Sequence, residues 1–176
     1  MPDQARNLGP FALHLDVAPL GFLLGTWAGQ GEGAYRTIRP FRYTEESVFW
    51  HVGKPFIGYS QRTWKADDGI PSHAESGYWR CPGQGRVELV VAHPNGLVEV
   101  AEGSLQLDGH HEGAVIEMAS TVMARTSTAK DVSSLVRRIA VAGDGLEYTL
   151  EMAAVGVPLG FHLGARLRRT DPGSPE

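Results

Sequence analysis

Short segments in which apolar and polar residues alternate recur along most of this chain, and they limit the fold more than any other feature. Examples are "TWAGQGEGAYRTI", "RYTEESVFWHV" and "PFIGYSQRTWKA". Successive side chains of a strand point to opposite faces, so this period indicates half-buried strands. Turn-forming groups such as "ADDGIP", "PGQG", "HPNG", "DGHH" and "GDG" lie between the segments. The pattern predicts about ten strands joined by short turns, with no long helix between them.

Strands connected by short turns pair in an antiparallel order, and a long meander avoids open edges most simply by closing on itself. We therefore predict an all-β fold: an antiparallel up-and-down β-barrel of about ten strands. The segment "DVAPLGFLLG" predicts a short helix or turn before the first strand. We expect one domain over 1–176, with an N-terminal arm at 1–19 and a flexible tail at 170–176. A barrel wider than eight strands is expected to enclose a cavity.

Charge and cysteine content exclude several classes of function. The formal net charge of the 176 residues is -4, and no basic stripe suited to nucleic acid occurs. Cys81 is the single cysteine, which excludes an internal disulfide, a thiolate zinc site and covalent haem attachment through two cysteines. The N-terminal residues lack the pattern of a secretory signal, and no apolar run approaches the length of a membrane span. We expect a cytoplasmic protein without a membrane partner.

The first predicted strand, "GTWAGQGEGAY", is unusually rich in glycine. A phosphate-binding loop is excluded, because no helix and no Lys-Ser/Thr pair follow. Glycine within a strand indicates a sharp bend or the close approach of another group. We expect Trp27 in this strand to plug one end of the barrel.

The same segment carries a family resemblance. Gly25, Trp27, Gly29 and Gly31 match the GxWxGxG pattern of the nitrobindins. The likeness continues in "YRTI", "HAESGYWR", "TAKDV" and "HLGARLRR", from about Leu20 to Arg168. The chain thus resembles a family of ten-stranded β-barrel haem proteins that are related in shape to fatty-acid-binding proteins.

The resemblance implies that His162, in "HLGARLRR", is the proximal ligand of haem iron. Neutral imidazole is a good iron ligand, and a single histidine holds haem in many folds. A regular strand places His162 on one face with Gly164 and Arg166. Leu163 and Leu167 then point to the other face. Either the leucine row faces an outer covering, or His162 precedes the regular part of the strand.

The resemblance also implies roles for three other residues, and Met152 is a further candidate from its soft side chain. His73 faces the cavity opposite the proximal ligand; the alternative is a strand histidine satisfied by a neighbour. Thr37 and Lys130 lie near the haem, as a hydrogen-bond donor and a propionate partner, or else are a plain strand threonine and a solvated lysine. Met152 contacts the porphyrin or is simply core. Arg36 stands where these proteins usually have proline, which leaves the position of Thr37 open.

The implied function is isomerisation of peroxynitrite to nitrate on ferric haem b, bound non-covalently, one per subunit. His162 and His73 would be the catalytic residues, and nitric oxide could occupy the same open coordination position. Two alternatives stay open. One is an intracellular carrier of a fatty acid or other apolar ligand, which could use Arg80, Arg137 or Tyr148 for a carboxylate. The other is a haem store or nitric oxide sensor without turnover. The oligomeric state, including a homodimer, is also left open.

Overall fold

A computed structural model describes residues 11–108 and 113–170. A 3₁₀ helix, Leu15–Leu23, comes before ten strands. The strands are β1 (Gly25–Tyr35), β2 (Ile38–Trp50), β3 (Ile57–Lys65), β4 (Pro71–Gly83), β5 (Arg86–His93), β6 (Leu97–Leu107), β7 (Gly113–Arg125), β8 (Val132–Ala142), β9 (Gly145–Ala154) and β10 (Val157–Thr170). The turn predicted around His110 and His111 lies outside the described residues, as do parts of the predicted arm and tail.

The ten strands form one closed antiparallel barrel. Each strand pairs with the next in sequence, and β1 pairs with β10 to close the sheet, with Gly29 opposite Leu167. The predicted fold class is therefore confirmed, including the short N-terminal helix. Closure leaves no open sheet edge, which is the physical reason for expecting it from a meander of this length.

The alternation of apolar and polar residues in the sequence corresponds to side chains that point alternately into the barrel and toward solvent. In β5, Val87, Leu89 and Val91 are buried, whereas Val90 between them is exposed. The inward-facing side chains of each strand form the core, and the outward-facing side chains form the solvent-exposed surface.

The 3₁₀ helix packs against one end of the barrel and buries Val17, Leu20 and Leu23 there. Trp27 is fully buried beneath it, and its indole N–H donates to the Leu23 carbonyl at 2.7 Å. The Arg169 guanidinium lies 4.1 Å above the centre of the Trp27 ring. This end of the barrel is thus plugged, as the sequence predicts for Trp27.

Among the described residues, no helix is long enough and apolar enough to pass through a bilayer.

Candidate haem site

The barrel interior holds a cavity of about 440 Å³, a size within the usual range for small-molecule sites. Its lining is largely apolar, and His73, His93 and His162 contribute imidazoles to it. β10, which carries His162, is separated in the ring of strands from β4, which carries His73, by β1, β2 and β3. The imidazoles therefore reach the cavity from opposite walls.

His162 lies at an irregularity of β10. Phe161 pairs with Glu151 of β9 and Leu163 with Leu150, so the register shifts at this point. Such a bulge re-aims the side chains around it. Both His162 and Leu163 consequently line the cavity. The structure thus resolves the facing conflict in the sequence, because the leucine row points inward and the bulge brings the histidine to the same side.

The His162 ring is oriented by the neighbouring strand. Its Nδ1 lies 3.4 Å from the carbonyl oxygen of Ala34, and Tyr35 packs edge-on with ring centroids 5.6 Å apart. A carbonyl oxygen only accepts, so this contact places the proton on Nδ1 and the lone pair on Nε2. Burial lowers the pKa of His162, against the opposing effect of the Ala34 hydrogen bond. Both the tautomer and the neutral form suit a metal ligand whose other nitrogen is held by a backbone carbonyl.

Three of the other predicted residues lie at the cavity, and one does not. His73, Lys130 and Met152 line it, with Lys130 exposed in the loop before β8. Thr37 lies in the turn between β1 and β2, is exposed, and is absent from the cavity lining over the described residues. Its proposed contact with haem stays a prediction.

Glycines of β1 make room for neighbouring aromatic side chains and backbone. Side chains at Gly31 and Gly33 would overlap the rings of Tyr43 and Phe41, and one at Gly29 would overlap the Arg166 carbonyl. The Tyr43 ring can therefore lie against β1 and reach across it. Gly25 has a φ of 118°, a conformation that side chains rarely allow.

Tyr43 joins a buried hydrogen-bond network that the sequence does not reveal. Its hydroxyl lies 2.9 Å from that of Tyr148, which donates to Glu45 Oε2 at 2.5 Å. Ser47 donates to Glu45 Oε1 at 2.8 Å. Burial raises the pKa of Glu45, and these hydrogen bonds only partly oppose it. Glu46, the next residue, lies near Arg62 on the outer face of β2, so the two adjacent carboxylates point to opposite sides of the strand.

A second polar group lies on the opposite wall, where β4, β5, β6 and β8 contribute Glu75, His93, Glu99 and Arg137. Arg137 forms a close ion pair with Glu99, which is 0% exposed, and lies 3.8 Å from Glu75. Burial raises the pKa of Glu75, but His73, Arg137 and His93 outweigh it and lower the value to about 2. We call Glu75, His93, Glu99 and Arg137 the charged cluster.

His93 was not among the residues predicted from the sequence, although a signal for the charged cluster was present. Glu99 and Arg137 stand at inner positions of apolar strands, between Leu97 and Ala101 and between Leu135 and Ile139. A charged residue within an inward-facing row predicts a buried partner on another strand. The partner's identity required the tertiary structure, because Glu99 and Arg137 lie on strands that are not neighbours.

Of the residues suggested for a carrier, Arg137 and Tyr148 line the cavity and Arg80 does not. Arg80 is exposed on the outer surface and pairs with Glu88 at 3.0 Å. Arg137 is already bound by two carboxylates, and Tyr148 donates to a third. Arg137 is thus not available to neutralise the carboxylate of a fatty acid.

Comparison with known proteins decides the family. Residues 16–169 match the model of a THAP4-like, heme-binding beta-barrel domain. The chain belongs to this family.

Several relatives of this chain are named as peroxynitrite isomerases. "Peroxynitrite isomerase 2" of Mycobacterium marinum is 53% identical over 161 residues, which cover 91% of this chain and 98% of the relative. "Peroxynitrite isomerase" of Nocardia farcinica is 53% identical over 159 residues, which cover 90% and 93%. Among solved structures, Rv2717c from M. tuberculosis has a TM-score of 0.87 at 45% identity, over 90% of this chain and 99% of that one.

Proposed function

We propose that this protein is a haem-dependent isomerase that converts peroxynitrite to nitrate. One haem b is bound non-covalently in the barrel cavity, in the ferric state, with His162 as the proximal ligand. The observation that carries the proposal is the geometry of His162. Its ring lines the cavity at a strand bulge, and the Ala34 carbonyl holds Nδ1 so that the lone pair stays on Nε2.

The family assignment and the names of the relatives support the same reaction. Bound haem would supply an iron that acts as a Lewis acid toward a peroxynitrite oxygen. The chain itself has to hold the group without covalent attachment, since Cys81 is its single cysteine. Apolar cavity residues such as Leu163 and Leu150 provide the burial that non-covalent binding needs.

The other cavity residues have distinct tasks. Lys130, exposed in the loop before β8, neutralises a propionate. Met152, on β9, packs on the porphyrin. His73, on the opposite wall, would offer a hydrogen bond to a small molecule such as peroxynitrite or nitric oxide held by the bound haem. The reaction takes place in the cytoplasm, consistent with Cys81 being a free, buried thiol.

The test compares wild-type protein with His162→Ala, and uses His14→Ala as the matched control because His14 is a half-buried histidine outside the cavity. Wild type and the control should show one haem per chain and a Soret band. Loss of a metal ligand should weaken haem binding in His162→Ala by at least about 100-fold.

Stopped-flow decay of peroxynitrite with a nitrate assay then tests turnover. We expect haem-loaded wild type to accelerate decay and raise the nitrate yield above buffer, and His162→Ala to match buffer. If haem-loaded wild type gave only the nitrate yield of buffer, the protein would be a haem store or sensor, and the enzymatic proposal would be wrong.

A further inference from the structure

Three side chains on the wall opposite His162 have the arrangement of metal ligands. His73, Glu75 and His93 each offer one ligand atom, and these atoms lie within 4.8 Å of one another. Glu75 Oε2 is 3.6 Å from His73 Nε2 and 3.3 Å from His93 Nδ1. Ligands at about 2.0–2.2 Å from a tetrahedral zinc ion lie about 3.3–3.6 Å apart, so both separations fit. We call these three residues the His-Glu-His triad.

The surroundings of the triad support its members as ligands. Tyr59 donates to Glu75 Oε1 at 2.9 Å, which fixes the carboxylate and leaves Oε2 directed to the two imidazoles. His93 turns its other nitrogen, Nε2, toward Glu99 Oε2 at 3.7 Å. A histidine placed between a carboxylate and a metal is the common arrangement around zinc, because the carboxylate orients the ring and increases its basicity.

Unsatisfied polar atoms lie directly behind the triad, where His93 Nε2 and Glu99 Oε2 face each other at 3.7 Å. His93 is nine-tenths buried, with its side chain 7% exposed, and its Nε2 has no hydrogen-bond partner. Glu99 Oε2 also lacks one. Buried polar atoms without partners are rare in folded proteins, so the long contact between these two atoms requires an explanation. A cation at the triad would polarise the His93 ring and strengthen its contact with Glu99.

We propose that the His-Glu-His triad binds a divalent transition metal of the zinc class, on the cavity wall opposite His162. The set of two imidazoles and one carboxylate leaves a fourth position open toward the cavity, as in catalytic zinc sites. Arg137 does not prevent this, because its ion pair with Glu99 offsets its charge. Glu75 and two neutral imidazoles then face the metal with one negative charge.

The alternative is an ion-pair network without a metal, in which a protonated imidazole balances Glu75. The two arrangements differ in the behaviour of the full-length, untagged wild-type chain toward Zn²⁺ alone. We expect calorimetry and metal analysis to give one tightly bound zinc ion per chain, with a rise in Tm. X-ray absorption at the zinc edge should show imidazole and oxygen ligands. Absence of bound zinc, or a zinc shell without imidazole, would overturn the proposal.

Matched variants locate the site. Glu75→Gln and His93→Gln should each weaken zinc binding by more than about 100-fold, and Glu99→Gln, behind the ligand, by about 10-fold. His14→Gln should leave it unchanged. Zinc binding that persists at wild-type strength in folded Glu75→Gln would overturn the proposal.

The haem readout separates this proposal from the proposed function. His162→Ala should lose the Soret band and keep its zinc, whereas Glu75→Gln should keep the Soret band and lose zinc. Zinc binding without haem in wild type would refute only the proposed function. A Soret band without zinc binding would refute only the metal site.

Discussion

The two walls of the cavity present histidine in opposite settings. On the β10 wall, His162 contacts a backbone carbonyl and an aromatic ring, and the adjoining strand β1 is rich in glycine. On the β4–β6 wall, His93 lies between Glu75 and Glu99, with Arg137 beyond them. One wall positions an imidazole through the backbone, and the other positions one through charges.

The difference indicates which protonation state each wall favours in its side chains. The apolar setting of His162 favours the neutral ring with a free lone pair, because burial disfavours the charged form. Burial lowers the pKa of His162 accordingly. The carboxylates of the other wall stay ionised although burial removes them from water. Close pairing with cations offsets the cost of that desolvation. Substitutions should therefore affect the two walls by different mechanisms.

The largest expected effect is on the charged wall. Arg137→Met removes the cation between Glu75 and Glu99 and leaves both carboxylates buried without it. Breaking a buried pair in this way should lower the free energy of unfolding by about 3–5 kcal/mol. Urea unfolding followed by tryptophan fluorescence measures this change.

Arg138→Met is the matched control, since Arg138 is the next residue and faces solvent beside Glu117. An exposed pair of this kind contributes less than about 1 kcal/mol. Equal losses of unfolding free energy in Arg137→Met and Arg138→Met would show that the buried ion pairs stabilise the fold no more than an exposed pair does.

A smaller loss is expected from the glycine-rich side. Gly31→Ala adds a methyl group where the Tyr43 ring lies, so the ring must move away from Tyr148. Overpacking of this kind should cost about 1–3 kcal/mol. Thermal unfolding should show the loss, whereas Gln30→Ala, one residue away and exposed, should stay close to wild type. An unchanged Tm in Gly31→Ala would mean that the motif glycine is not needed for packing.

The smallest effect concerns the pH dependence of Glu45. Its folded pKa is raised by burial, so the folded state holds a proton that the unfolded state releases above its ordinary value of 4.5. Wild-type stability is therefore fully present below that value and falls as pH rises through the folded pKa. Glu45→Gln cannot ionise and escapes this loss.

The difference in free energy of unfolding between Glu45→Gln and wild type should thus move in favour of the variant as pH rises above 4.5, by at most about 1.4 kcal/mol per pH unit. Urea unfolding across this range measures the difference. A difference that stayed constant with pH would contradict a proton on buried Glu45.

Much of this site was predictable from residues that are close together in sequence. The GxWxGxG pattern and the "HLGARLRR" segment predicted the haem-binding family that comparison confirmed. The sequence left the facing of His162 open between two alternatives, because strand alternation assumes a regular register. The bulge between Phe161 and Leu163 breaks that register, and only the pairing of β9 with β10 shows where it lies.

His93 is a second example of a site residue that the sequence could not predict. It ends β5 after "RVELVVA" and carries no motif, so nothing local separates it from a surface histidine. Its partners Glu75 and Glu99 come from the strands on either side. Only the pairing of β4, β5 and β6 brings these three side chains together.

The sequence by itself determined that this chain is a closed antiparallel barrel with a haem family's motif, because alternation and turns are local properties that each segment carries alone. The tertiary structure decided that His162 points into the cavity and that Glu75, His93, Glu99 and Arg137 meet on the opposite wall. The physical reason is that register shifts and the contacts of buried charges depend on strands far apart in the chain, whose relative position exists only once the barrel has closed.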